Sequence, residues 1–295
     1  MNFIRGASAL VVMLRQLKNI NKTISRCNQK SILEGLALNS TESLIDPANK
    51  NLVVSLTTYN KRVKDVFLVI ESLGRQTKKA GKIILWLDKQ EFDSDNLPLI
   101  LKSQVSRGLT IKFCDNLKSY KKLLPTIDCF YDANIITVDD DVLYPYYFIE
   151  NLLLESTRYP DTVVCYRAHK MLRDANGNIQ PYKMWEHKTS ITEPGFDIFP
   201  TGIGGVLYPP GVLHKKCLDY NQALQLAPNA DDVWFKAMTT MAGNKSKLVS
   251  QYFNYDEDFI DLIDAQDIAL NASNVQGGEN DIQINKVYEY YDIKL

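Results

Sequence analysis

At 295 residues, 45% of them apolar and 23% charged, the chain can bury the core of one large or two small domains, and its composition excludes disordered, collagen-like and disulfide-scaffold classes. Thirty-four Lys and Arg against 35 Asp and Glu leave a formal charge of -1, so no global basic field attracts nucleic acid, and no nucleic-acid partner is expected. Five cysteines, Cys27, Cys114, Cys129, Cys165 and Cys217, form no C-x-x-C pair and are expected as thiols, mostly buried, in a reducing compartment.

The first 33 residues carry Arg5, Arg15, Lys18, Lys22, Arg26 and Lys30 with no acid before Glu34. Leu10, Met13, Leu14, Leu17 and Ile20 recur at roughly helical spacing, so residues 1–48 are predicted to be a basic amphipathic leader. Such a helix can lie against anionic lipid, pack on the body, or serve as a transit peptide, and the spacing does not choose among these. No apolar run approaches the roughly 18–20 residues needed to cross a bilayer as a helix.

From Asn51 strand-length apolar runs alternate with amphipathic segments of helical length, the pattern of a parallel sheet with crossover helices. Residues 51–57, 82–87, 109–114 and 133–138 are predicted strands, with helices over 62–75, 96–106 and 118–129. A parallel sheet holds its ligand outside the carboxyl ends of its strands, which directs attention to the residues after Thr57, Leu87, Cys114 and Val138. Beyond residue 160 the alternation degrades. A strand at 162–166, a hairpin turning at Asn176-Gly177, helices near 217–226 and 231–242, a strand near 246–252 and a last helix from Asn280-Asp281 are expected. The change of pattern divides the body of the chain into 49–160 and 161–295.

Asp139-Asp140-Asp141 directly follows the apolar strand ending at Val138. Three adjacent carboxylates at a buried strand end repel one another unless a cation sits among them, and Mg²⁺ or Mn²⁺ is a natural occupant because it accepts oxygen ligands and leaves positions open for phosphate. Strand alternation would send Asp139 and Asp141 to one side and Asp140 to the other. An EF-hand counted from Asp139 fails because Tyr144 stands where the turn glycine is needed. A haloacid-dehalogenase-like nucleophile is disfavoured by the motif's place after a later strand and by Leu143. Lys121 and Lys122 open the preceding helix, where ammonium groups can approach a diphosphate. Thr57, Thr58, Tyr59 and Arg62 leave the first strand and Asp88 the second, positions that suit a nucleobase and ribose. Gly202, Gly204 and Gly205 let backbone approach a ligand closely. Asp231-Asp232 stands at a helix start, where ordinary N-capping accounts for one acid more comfortably than two. His169, His187 and His214 lack zinc spacing. Tyr182 and Trp185 are assigned to the core ahead of sugar stacking.

The order SLTTYNKR, LWLD, SYKKL, TVDDDVLYP, PTGIGGVLYPP and ADDVWFKAM, over residues 51 to about 250, resembles bacterial nucleotide-sugar glycosyltransferases of the GT-A fold found in surface-polysaccharide gene sets. The closing NVQGGENDIQI at 274–284 is similar to the tail of that group. The resemblance implies an α/β fold with a GT-A-like, Rossmann-related mixed central sheet flanked by helices, in a single catalytic domain behind the leader. It implies Asp139 and Asp141 as ligands of Mn²⁺ or Mg²⁺, Asp140 facing the donor, and Thr57, Thr58, Tyr59, Arg62, Asp88, Lys121, Lys122, Gly204 and Gly205 around a nucleotide-sugar, most simply a UDP-sugar. Asp232 becomes the catalytic base with Asp231 orienting a sugar hydroxyl, although Asp-Asp stands where many relatives have Glu-Asp. The resemblance also implies a donor-binding half over 49–160 and an acceptor-binding and catalytic-base half over 161–295, and its implied partner is a glycan or lipid-linked glycan acceptor. The implied location is cytoplasmic, with peripheral membrane contact through residues 1–33. A nucleotidyltransferase on a related scaffold and a non-catalytic glycan- or membrane-binding module are the rival readings.

Overall fold

The computed structural model describes residues 2–262 and 278–294. Part of the NVQGGENDIQI segment and most of the acidic stretch expected before the last helix lie outside them.

The chain opens with the long helix α1 (Asn2–Asn39) and then alternates β1 (Leu52–Thr57), α2 (Val66–Gly74), β2 (Lys82–Asp88), α3 (Leu99–Ser106), β3 (Leu109–Cys114), α4 (Leu124–Cys129) and β4 (Asn134–Thr137). Short β5 (Val142–Leu143), α5 (Phe148–Arg158), β6 (Thr162–Cys165), β7 (Ala168–Lys170), β8 (Ile198–Pro200) and β9 (Val206–Tyr208) follow. The rest is α6 (Tyr220–Leu226), α7 (Asp231–Met241), β10 (Lys245–Leu248), α8 (Tyr255–Asp258), β11 (Ile260–Asp261) and α9 (Glu279–Tyr290). The four predicted strands of the first half are present with ends shifted by one residue at most. The predicted strand 246–252 stops at Leu248, and the predicted helix over 62–75 begins as a 3-10 turn at Asn60–Lys64.

Seven strands form one mixed sheet in the order β10-β6-β9-β4-β1-β2-β3, flanked by helices on both faces, as the resemblance implied. β1 is buried along nearly its whole length because helices cover both its faces, which is why it reads as an unbroken apolar run. One core joins Val54, Leu56 and Ile136 to α2 and α5, and a second joins Ile135 and Val163 to α4, α7 and α9. Tyr182 and Trp185 belong to the second core, where the Trp185 indole donates to the Gln180 carbonyl at 2.7 Å.

β9 decides where the site lies. It runs antiparallel between β4 and β6, pairing Thr137 with Val206 and Cys165 with Val206. The start of β9 therefore meets the carboxyl ends of its neighbours, and the loop over 201–205 opens onto the same edge of the sheet as Thr58 and Asp139. All five cysteines are free thiols, but contrary to the expected burial only Cys165 and Cys217 are buried, while Cys27 and Cys129 are exposed on the outer faces of their helices and Cys114 is half-buried.

Candidate active site

The three aspartates link β4 to β5, which pairs antiparallel with β11 and fixes the outgoing chain. The Asp139 amide donates to the Tyr144 hydroxyl at 2.9 Å, and the Asp141 carbonyl accepts from the Leu262 amide at 2.7 Å. The tripeptide is thus held by its backbone, leaving the carboxylates to be placed by their partners.

Asp140 is the innermost. It accepts from the Thr58 hydroxyl at 2.6 Å and from Arg62 Nη1 at 2.7 Å. The same guanidinium nitrogen lies 3.2 Å from Asp141 Oδ2, and the guanidinium stands 5.1 Å over the Tyr59 ring. Strand alternation is therefore broken by the turn, which brings Asp140 and Asp141 to one cation. Asp139 lies 3.1 Å from Lys122 Nζ, which also reaches Asp231 Oδ2 at 3.3 Å. Asp232 Oδ2 accepts from the Gly202 amide at 3.0 Å. Neither Asp231 nor Asp232 caps α7, whose N-cap is Ala230. Both acids face the cleft instead.

Five carboxylates thus share two paired cations, Arg62 and Lys122, and the imbalance shows in their ionisation. Burial, then Asp139 and Asp140, push the Asp141 carboxyl up to about 7 against the pull of Arg62. Burial, then Asp231, raise Asp232 to about 7, with Lys122 and the Gly202 amide opposing. Burial works against the Lys122 ammonium, but Asp139, Asp231 and Asp232 outweigh it and hold Lys122 well above the ordinary lysine range.

Three glycines of the loop stand where a side chain would clash. A Cβ on Gly202 would stand 2.8 Å from Lys122 Nζ and 3.1 Å from Asp232 Oδ1. One on Gly205, whose φ is +85°, would meet the Phe148 ring at 2.5 Å. Gly204 is likewise left-handed, at +92°, against Tyr255.

Among the other expected residues, Thr57 donates to the Trp86 carbonyl at 2.9 Å and so ties β1 to β2. Asp88 accepts from the Gln90 amide at 2.9 Å and shapes the turn after β2. Lys121 is buried, yet no carboxylate or hydrogen-bond acceptor among the described residues holds its ammonium. Arg167, two residues beyond the end of β6, is a further cation at this edge of the sheet. Its Nη1 donates to the Thr201 hydroxyl at 2.8 Å and no carboxylate among the described residues pairs with it. The carboxyl-end rule would have found it had it been applied beyond the fourth strand.

No protein-family profile and no curated protein sequence matches the chain. Among solved structures the chain resembles S. aureus TarS. Over 68% of this chain and 58% of that one, the structure of TarS residues 1–349 is 16% identical with a TM-score of 0.45. The complex of the same fragment with UDP is 15% identical over the same shares, with a TM-score of 0.44. The chain spans less than two thirds of either.

Among the described residues no group of three or more His, Cys, Asp or Glu side chains is arranged to enclose a metal ion. An open site asks for less. The side chains of Asp139 and Asp141 are 24% and 19% exposed against 6% for Asp140, so two hard oxygen donors reach the cleft while the third is tied to Thr58 and Arg62. With Asp141 pushed up by burial and then by Asp139 and Asp140, this donor set fits a divalent cation whose remaining positions would be filled by phosphate and water.

Proposed function

We propose that the chain is a glycosyltransferase that transfers a sugar from a nucleotide-sugar, a UDP-sugar in the simplest case, to a hydroxyl of a glycan or lipid-linked glycan with inversion. One observation carries this reading: a strand-end acid cluster and a helix-start acid pair, 90 residues apart in sequence, are joined through Lys122 at the carboxyl edge of one sheet. Asp139 and Asp141 would hold Mn²⁺ or Mg²⁺, which supplies positive charge to a departing diphosphate. The Lys121 ammonium, which no carboxylate among the described residues holds, would bind the same phosphates. Asp232 takes the proton of the attacking hydroxyl, its Oδ2 fixed by the Gly202 amide and its basicity raised by burial. Asp231 and Lys122 hold the pair of acids in register, and Lys122 remains protonated throughout.

The test is an assay of sugar transfer and pyrophosphate release on nucleotide-sugars with Mn²⁺. Transfer without pyrophosphate supports the reading, and loss of transfer in Asp232→Asn with the fold intact assigns the base. Pyrophosphate release would favour a nucleotidyltransferase. Absence of both, with no metal-dependent UDP binding, would leave the rival binding module.

A further inference from the structure

Among the described apolar side chains of α1, those near its end pack on the body, where Leu33 and Ala37 join the core under α2 and α3. Further up the same helix Met13, Leu17, Ile20 and Ile24 remain 46–57% exposed. Their spacing is 4, 3 and 4 residues, and Leu10 before them and Cys27 after them continue it in the sequence. Every core position of a seven-residue repeat from Leu10 to Cys27 is therefore apolar, with Leu10, Leu17 and Ile24 in one layer type and Met13, Ile20 and Cys27 in the other. Leu14 is the one other exposed large apolar side chain described beside this stripe, and apolar residues at every such position mark the seam of a coiled coil, narrower than the face a helix lays on a globular core.

The charges choose the occupant. Flanking the seam stand Leu14, Gln16, Asn21, Thr23 and Asn28, which are uncharged, and Lys30 only at its end. Two copies can therefore close without like charges meeting across the interface. Lys18, Lys22 and Arg26 fall on the other side of the helix, toward the body: Lys18 lies 3.9 Å from Glu257, and Arg26 is half-buried. An anionic bilayer would want those cations beside the apolar stripe rather than behind it.

We propose that this seam pairs with the α1 seam of a second copy of the chain, making α1 a dimerisation arm. The pairing is independent of the proposed catalysis.

Sedimentation equilibrium of the full chain over a range of concentrations tests it. The expected result is a monomer–dimer equilibrium that Leu17→Asp with Ile24→Asp weakens at least tenfold, while circular dichroism and the thermal midpoint stay near wild type because both side chains are half-exposed. Lys18→Glu with Lys22→Glu, on the opposite side, is expected to keep the dimer. Flotation with phosphatidylglycerol vesicles provides the second arm. A chain that stays monomeric at every concentration, a dimer indifferent to the Leu17 and Ile24 changes, or a monomer that floats with vesicles and is released by the Lys18 and Lys22 changes would each overturn the pairing, the last assigning the stripe to lipid.

Discussion

Asp232 carries two opposed demands. Burial and the adjacent Asp231 raise its carboxyl to about 7, so below that pH it is protonated and cannot accept a proton. Turnover is expected to fall tenfold per unit on the acid side of about pH 7 and to level off above it. Removing the charge next door should move that limb: Asp231→Asn is expected to shift it toward acid, since one repulsion is gone while Lys122 and the Gly202 amide still favour the anion. A limb that stays where it is would take Asp232 out of the base role. Asp232→Asn is expected to lose about 10²–10⁴ in rate. The same raised value works against the fold. A carboxyl whose folded value lies above its unfolded one loses stability as pH climbs from the ordinary carboxylate range through about 7, so Asp232→Asn should be more stable than wild type at pH 8, as denaturant midpoints would show.

The loop between β8 and β9 is where an element shapes the site. Gly205→Ala places a methyl against the Phe148 ring with φ at +85°, and a loss of about 1–3 kcal/mol is expected in urea unfolding. Gly202→Ala is expected to behave differently, with little loss of stability and a large loss of turnover, because the methyl would meet Lys122 and Asp232 rather than the core. These elements also mark what the sequence disclosed. β1 to β4 were legible because strands buried on both faces are written as apolar runs between amphipathic helices, and the carboxyl-end rule then pointed at Thr58, Asp139 and their neighbours. β9 was not legible. Its three residues lie between a glycine run and two prolines, and nothing local says that it inserts antiparallel between β4 and β6. The acids of the site could be listed from their types and positions, but not their pairing. Arg62, expected near a ribose, holds Asp140 and Asp141, and Lys122, expected at a diphosphate, bridges the two acid clusters. Such links span the sheet and leave no trace in spacing.

At the scale of the molecule, the two ends of the sheet are fastened by buried ion pairs: Arg107 with Glu71 between α2 and the start of β3, and Lys247 of β10 with Glu155 of α5. Glu155→Gln would strand a buried ammonium, and a loss of about 3–5 kcal/mol is expected. The cleft lies between these fastenings and draws on β1, β4, the β8–β9 loop and α7, so a ligand seated there ties both halves of the chain together. A nucleoside diphosphate with Mn²⁺ at a hundredfold excess over its Kd should add about 2.7 kcal/mol to the folded state. That corresponds to a thermal midpoint raised by about 4 °C in a chain of this size. Asp141→Ala is expected to lose the metal-dependent part of this shift, because one of the two more exposed carboxylates of the aspartate cluster is gone and the repulsion that a cation would relieve goes with it. Asp232→Asn, which leaves Asp139, Asp141 and Lys121 in place, should keep the shift while losing turnover. The two variants thereby separate holding the donor from spending it. A ligand-induced shift of equal size in Asp141→Ala would place the phosphates elsewhere on the sheet edge, with Lys121 and Arg167, which no carboxylate among the described residues holds, as the side chains to change next.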